Sequence, residues 1–109
     1  MRAKTGVILC TAALLLWGAA VGAADNGKLK EGEALFKKHC AVCHPNGGNV
    51  INAKKTLRKA DLAAGGIKAP EDIVKKMRKP GPGMPQFDSA KVPDKEALAL
   101  AEYVLAAFQ

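Results

Sequence analysis

The stretch Cys40-Ala41-Val42-Cys43-His44 determines how the rest of the sequence is interpreted. It has the C-x-x-C-H pattern of a c-type haem attachment site. On one helical turn the two cysteines and the histidine would share a face, because positions i, i+3 and i+4 lie on the same side of a helix. The two thiols would then reach the vinyl groups of one porphyrin while the imidazole reaches its iron. We therefore predict Cys40 and Cys43 as attachment residues and His44 as the proximal iron ligand.

Three other interpretations of these cysteines compete with haem attachment. A zinc site needs four ligands, and the remaining candidate within residues 25–109 is His39, badly placed beside Cys40. A thioredoxin-like dithiol needs a βαβ context, which the sequence lacks. A disulfide between Cys40 and Cys43 would close a very short loop and add little stability. Haem attachment accounts for the whole motif and is the favoured prediction.

Two methionines are candidates for the second axial ligand of the iron. Met77 follows Ile73 by four residues on an apolar helix face, which is typical of a core methionine. Met84 lies in Pro82-Gly83-Met84-Pro85, where prolines fix the backbone and glycine permits close approach to a flat group. We predict Met84 as the ligand. His39 adjoins the attachment site on the proximal side, so we expect it to be a surface or packing residue.

Length and composition exclude several classes of protein. The chain has 109 residues, of which 49% are hydrophobic, 25% charged and 5% aromatic, with a formal net charge of +7. A multidomain enzyme, a TIM barrel and a polytopic membrane protein are excluded by length, and a disordered polyelectrolyte by the hydrophobic content. A small domain with so few aromatic residues needs a crosslink, a metal or a bound group for stability.

The N-terminal segment has the pattern of a secretory signal peptide. Basic residues precede an apolar run over 7–17, and the small residues that follow fit cleavage after Ala23 or Ala24. An uncleaved membrane anchor is the alternative, because the apolar stretch through Ala24 approaches the length of a membrane span. We predict a signal peptide at 1–24, a single domain at 25–109 and export to the periplasm.

Apolar spacing and chain breakers predict that the domain is all-α. Helical periodicity is present in four segments, and two Pro/Gly-rich segments interrupt it. Asp94 is expected to cap the last helix. No segment alternates in the manner of a strand. The four predicted helices cover residues 28–40, 56–64, 70–79 and 94–108.

Six short motifs follow one another in a fixed order along most of the domain. They are Gly32-x-x-x-Phe36, Cys40-x-x-Cys43-His44, Gly47-Gly48-Asn49-Val50-Ile51, Lys55-Thr56-Leu57, Met84-Pro85-x-Phe87 and Ala101-x-Tyr103-Val104. The set resembles class I cytochrome c, and within it the cytochrome c6-like carriers. The resemblance implies a small class I fold whose N- and C-terminal helices cross around one covalently bound haem. Gly32 would allow the close approach, and Phe36 would pack near Tyr103.

The predicted ligands favour a one-electron carrier over an enzyme. With both axial positions filled, the iron has no open site for a substrate and can only change its oxidation state. A haem sensor from which Met84 dissociates and a peroxidase-like enzyme are the alternatives, and both need an open iron site with distal polar groups. The apolar residues expected to form the walls of the haem pocket are Leu57, Leu62, Ile73, Val74, Phe87, Leu98 and Val104.

The excess of lysine and arginine predicts the type of partner. Redox proteins with acidic docking faces are expected, a membrane redox complex among them. Nucleic acid is not expected, because the basic residues lack interleaved aromatic side chains. We expect a soluble monomer in the periplasm, or in the thylakoid lumen of a photosynthetic organism. The basic residues expected to form the docking face are Lys37, Lys38, Lys54, Lys55, Lys59, Lys75, Lys76, Arg78 and Lys79.

Overall fold

The computed structural model describes residues 22–109, with side chains from Asn26 onward. The elements are α1 (Gly22–His39), a 3-10 turn (Pro45–Gly47), α2 (Lys59–Ala64), α3 (Pro70–Arg78) and α4 (Asp94–Ala107). No strand occurs within this range, so the all-α prediction is confirmed. No helix in the described part of the chain is long and apolar enough to cross a bilayer.

The predicted signal peptide lies almost entirely outside the described residues. Its last three residues, 22–24, form the first turn of α1. The division of the chain at residue 24 therefore stays a prediction.

Helices α1 and α4 cross at Gly32. A β-carbon built on Gly32 would overlap the Ala99 carbonyl oxygen and lie 2.6 Å from Tyr103 Cβ. Only glycine therefore allows this separation between the two helices. Phe36, one turn later, places its ring centroid 5.5 Å from that of Tyr103. The crossing implied by the family resemblance is confirmed.

The apolar core lies between these crossed helices and α3. Met77 is 2% exposed and belongs to the core, as its helical spacing predicts. Leu100, missed by the sequence analysis, is also buried, although it lies three residues after Ala97 and four before Val104, which is core spacing. The buried members of the cluster are Phe36, Leu62, Ile73, Met77, Phe87, Val92, Ala97, Leu100, Ala101 and Val104.

The predicted pocket walls lie at the core with one exception. Of the seven, Leu98 is half-buried and does not belong to the described core cluster or to the side chains packed on it. The leucine of α4 that belongs to the core cluster is Leu100. Leu98 therefore lies outside the apolar core, and its position in the wall of the haem pocket stays a prediction.

The beginnings of three helices also differ from the prediction, two in the first residue and one in the cap. Helix α1 begins at Gly22 rather than at Lys28. The second helix begins at Lys59 because the Thr56 hydroxyl donates to Asp61 and accepts the Arg58 amide at 3.2 Å, which holds the preceding residues in a turn. Asp94 does not cap α4: Pro93 occupies the N-cap position, and the Asp94 carboxylate accepts from Arg78 instead. A charged guanidinium donor provides a stronger hydrogen bond than a helix amide.

Candidate haem site

The attachment turn follows directly from the end of α1. The amides of Cys40 and Ala41 both donate to the Phe36 carbonyl, at 2.8 and 3.0 Å, and the His44 amide donates to the Cys40 carbonyl at 2.8 Å. The regular helix ends at His39, yet this last bond preserves one helical turn between the first cysteine and the histidine. Cys40 and Cys43 are half-buried and form no disulfide with each other, so both sulfurs can form thioethers with a porphyrin.

The imidazole of His44 is oriented by a backbone carbonyl. Its Nδ1 lies 2.7 Å from the Gly48 oxygen. A carbonyl oxygen can only accept, so Nδ1 carries a proton, and in the neutral imidazole the lone pair is then on Nε2. This is the arrangement by which an iron-binding histidine is fixed in one tautomer. The sequence contained no signal for the acceptor, because any residue could supply a carbonyl at this position.

The chain from Cys40 to Leu57, which we call the attachment loop, holds that carbonyl in place. Asn46 and Gly47 have φ angles of 53° and 79°, in the left-handed region. The Leu57 amide donates to the Gly47 carbonyl at 2.7 Å. A β-carbon on Gly47 would overlap the ring of Phe108. The position therefore requires glycine both for its backbone angle and for the packing of α4.

Asn49 organises the second half of the attachment loop. Its side-chain oxygen accepts from the amides of Ile51 and Asn52, at 2.9 and 2.8 Å, and its side-chain nitrogen donates to the Lys55 carbonyl at 2.8 Å. These three bonds close a compact turn immediately after Gly48. Asn49 belongs to one of the motifs that carry the family resemblance, but nothing in the sequence indicates these bonds.

Large apolar side chains beside the attachment turn face solvent. Val42 is 81% exposed, Val50 65% and Ile51 60%. A concentration of exposed apolar side chains indicates a surface that contacts another group. With the available His44 Nε2 and the two free thiols, these residues fit a flat apolar group with a central metal, as a haem is.

The environment of Cys40 keeps its thiol neutral. Burial, and to a smaller extent the negative charge of a Cys43 thiolate, raise the pKa of Cys40 to about 11. The Cys40 thiol is therefore protonated at neutral pH, where a thiol is a poor nucleophile toward oxidants.

The segment from Pro80 to Phe87, which we call the methionine loop, contacts the attachment loop. Met84 is half-buried and packs on the core. At Gly83 the backbone has φ of 89°, and a β-carbon there would lie 3.3 Å from Ile51 Cγ2. The structure thus brings the loop of the predicted second ligand against the loop of the predicted first ligand.

The methionine loop is fastened to α3 at Phe87. The Phe87 amide donates to the Met77 carbonyl and its carbonyl accepts from Arg78 Nη1, both at 2.9 Å, while Gln86 Nε2 donates to the Arg78 carbonyl at 2.9 Å. On its other side the Phe87 ring meets His39 edge-on, with centroids 6.0 Å apart. His39 is a packing residue, as expected.

Most of the basic residues predicted to form a docking face are exposed. Arg78 is the exception, with 22% of its side chain exposed and Nη2 at 2.6 Å from Asp94 Oδ1. Its assignment to the docking face is wrong, because most of its side chain is covered and its guanidinium is held by Asp94 and by the Phe87 carbonyl. Lys37 is exposed but lies 2.8 Å from the Glu33 carboxylate.

Comparisons with known proteins agree with this geometry. Residues 27–104 match the family model described as cytochrome c oxidase, cbb3-type, subunit III. Cytochrome c6 of Microcystis aeruginosa is 41% identical over 76 residues, which cover 70% of this chain and 93% of that protein. The chain belongs to the monohaem class I cytochromes c. Its cofactor is one covalently attached haem c with iron, and its relatives indicate a c-type cytochrome that carries electrons between redox partners.

Two solved structures show how far the similarity of this cytochrome extends. The outer-membrane cytochrome OmcF of Geobacter sulfurreducens is 47% identical, with a TM-score of 0.70 over 72% of this chain and 99% of that one. Cytochrome c6 of the diatom Phaeodactylum tricornutum is 35% identical, with a TM-score of 0.66 over 72% and 91% of the two chains. The predicted class I fold is therefore confirmed.

Proposed function

We propose that this cytochrome is a soluble one-electron carrier whose single haem is attached through Cys40 and Cys43 and ligated by His44 and Met84. One observation carries the proposal. The attachment loop, which leaves the Nε2 of His44 available, meets the loop that contains Met84 at the contact between Gly83 and Ile51.

The proposed ligands suit electron transfer and leave no position for a substrate. The bound haem supplies the one-electron couple of its iron. Imidazole and thioether ligation raises the reduction potential. The apolar core around the site excludes water and disfavours the additional positive charge of the oxidised state. The residues thereby set a potential, and none of them is assigned an acid–base role.

We propose that the carrier acts after export, in the periplasm or, in a photosynthetic organism, in the thylakoid lumen. It acts as a monomer on redox proteins with acidic docking faces, including membrane redox complexes. Its exposed lysines support this choice, since basic surfaces accelerate the approach of acidic partners at low ionic strength.

A mass measurement combined with an alkaline pyridine spectrum tests the proposal on protein expressed with haem-maturation factors and exported. We expect a mass that corresponds to loss of residues 1–24 and gain of one haem, with the spectrum of a haem held by two thioethers. The matched control carries Cys40→Ser and Cys43→Ser together and should contain no covalent haem. A colourless product with freely titrating thiols contradicts the attachment, and rapid binding of CO to the ferrous protein contradicts the filled second axial site.

A further inference from the structure

We propose that Arg78 is a positioning residue for Met84, because its guanidinium fastens the chain after the methionine to the end of α3. The inference rests on the proposed function, in which Met84 binds the iron. Arg78 has no place in that ligand set, and its side chain is mostly covered and paired with Asp94 rather than free on the docking face.

Hydrogen bonds hold Phe87, three residues after Met84, against the end of α3. Phe87 uses both backbone groups, its amide toward Met77 and its carbonyl toward Arg78 Nη1, each at 2.9 Å. Gln86 adds a side-chain bond to the Arg78 carbonyl at 2.9 Å. The residues just beyond Met84 and Pro85 are therefore held by three bonds to the last residues of α3, and Arg78 takes part in two of them.

Arg78 is itself held by a residue at the start of α4. Its Nη2 donates to Asp94 at the start of α4, at 2.6 Å. One planar group thus connects α3, the methionine loop and α4. A guanidinium presents several donors in a rigid fork, which an ammonium group cannot reproduce at two separate acceptors. Bonds from a charged donor are also stronger than neutral ones.

The bonds of Arg78 act on Met84 through Phe87. Phe87 is 7% exposed, its backbone carbonyl accepts from Arg78, and its ring meets His39, which precedes the first attachment cysteine. Displacement of Phe87 would move the methionine loop away from the attachment loop. Loss of the Arg78 bonds therefore raises the population of locally opened states, in which Met84 leaves the iron while the helices stay packed.

Competition with imidazole measures this opening in the intact haem protein at fixed pH. The readout is the imidazole concentration that halves the methionine–iron charge-transfer band of the ferric form. In Arg78→Gln we expect that concentration to fall about tenfold, as loss of a hydrogen bond from a charged donor implies. Arg78→Lys should give an intermediate value. Lys76→Gln is the matched control, since it removes one charge from an exposed position of the same helix, and should change the value less than about twofold, the scale of a surface substitution.

Amide hydrogen exchange at Phe87 provides a readout that does not depend on the ligand. Exchange should accelerate in Arg78→Gln by a factor similar to the gain in imidazole affinity, and stay unchanged in Lys76→Gln. Asp94→Asn, which frees the guanidinium but keeps Arg78, should give a smaller acceleration. It serves as the test variant if Arg78→Gln does not fold.

Two outcomes overturn the inference in different ways. If Arg78→Gln lowers stability toward denaturant but binds imidazole no more tightly than Lys76→Gln, Arg78 has a structural role only. If the unmodified ferric protein lacks the methionine–iron band, the proposed ligand is wrong and the positioning role falls with it. The first result leaves the proposed function intact, so the two failures are distinguishable.

Discussion

The attachment loop and the methionine loop meet at one site but are held in different ways. His44 is fixed by Gly48 and Asn49 by Lys55, through bonds that span four and six residues. The methionine loop is held from outside, by the Arg78 side chain and by contacts with Ile51 and His39. One loop is organised mainly by hydrogen bonds between its own residues, and the other depends on how distant elements pack.

Because of this difference, the geometry of the two proposed ligands should respond differently to movements of the surrounding helices. The histidine lies beside two expected covalent links and an internal hydrogen bond, so its local geometry survives small movements of the helices. The methionine binds through a weak thioether on a loop held by tertiary contacts. We therefore expect most substitutions that loosen the fold to affect the methionine side first.

Replacing the methionine should have the largest effect. In Met84→Ala we expect loss of the methionine–iron charge-transfer band and a fall in reduction potential of more than about 59 mV, one tenfold step for a one-electron couple. Met77→Ala is the control: it should keep the band and cost about 2–5 kcal/mol of stability, because it empties a core position. A ferric spectrum and a potentiometric titration decide the matter, and a retained band in Met84→Ala would refute the ligand.

A substitution at Gly47 should destabilise the attachment loop instead. Gly47→Ala strains a backbone at φ of 79° and pushes on the Phe108 ring. Gly66 has the same φ with nothing within 4 Å, so Gly66→Ala should cost only the backbone strain, about 1–2 kcal/mol. Gly47→Ala should cost about 1–3 kcal/mol more, the penalty of overpacking. Denaturant unfolding measures both, and equal losses would mean that the ring does not press on this loop.

The crossing of α1 and α4 supports both loops. Substitutions at the crossing measure how much stability the close packing of these two helices contributes. Gly32→Ala should cost about 1–3 kcal/mol, because the new methyl group meets backbone and Tyr103. Gly27 lies in the same helix with nothing within 4 Å, so Gly27→Ala should stabilise by up to about 1 kcal/mol. Thermal or denaturant unfolding separates them. If Gly32→Ala is as stable as the unmodified protein, the crossing is not tight.

The smallest effect is expected at the start of α3, away from both loops. The amides of Lys68 and Ala69 both donate to the Asp72 carboxylate at 3.0 Å. These bonds hold its pKa below the ordinary value of 3.8, and the bond from Lys68 has the larger effect. A lowered pKa stabilises the fold above pH 3.8, and the stabilisation is lost as pH falls through the lowered value.

Asp72→Asn should therefore reduce stability at neutral pH and flatten its decline in acid. Glu71→Gln removes a charge from the same helical turn and should leave that decline in place. Unfolding curves across the acid range measure the difference. An unchanged acid decline in Asp72→Asn would contradict the assignment.

Features that depend on local residue spacing could be predicted from the sequence. Contacts between residues far apart in the chain could not. The helices, the crossing at Gly32 and the core position of Met77 follow from periodicity and from the family resemblance. Arg78 was interpreted as a docking residue and Asp94 as a helix cap, since nothing in their neighbourhoods shows that they bond each other across sixteen positions. The haem roles of Cys40, Cys43, His44 and Met84 stay predictions, because the geometry accommodates them without testing them.

The contact between Phe108 and Gly47 has a consequence for biogenesis. Synthesis proceeds from the N-terminus, so Gly47 emerges long before the ring that packs on it and before the Phe108 carbonyl that accepts the Lys59 amide at 3.1 Å. A growing polypeptide that ends at α3 cannot yet close this region. Until α4 is present, during synthesis or during export, the two cysteines would lie on a segment that lacks this packing, and a modifying enzyme would then reach them most easily.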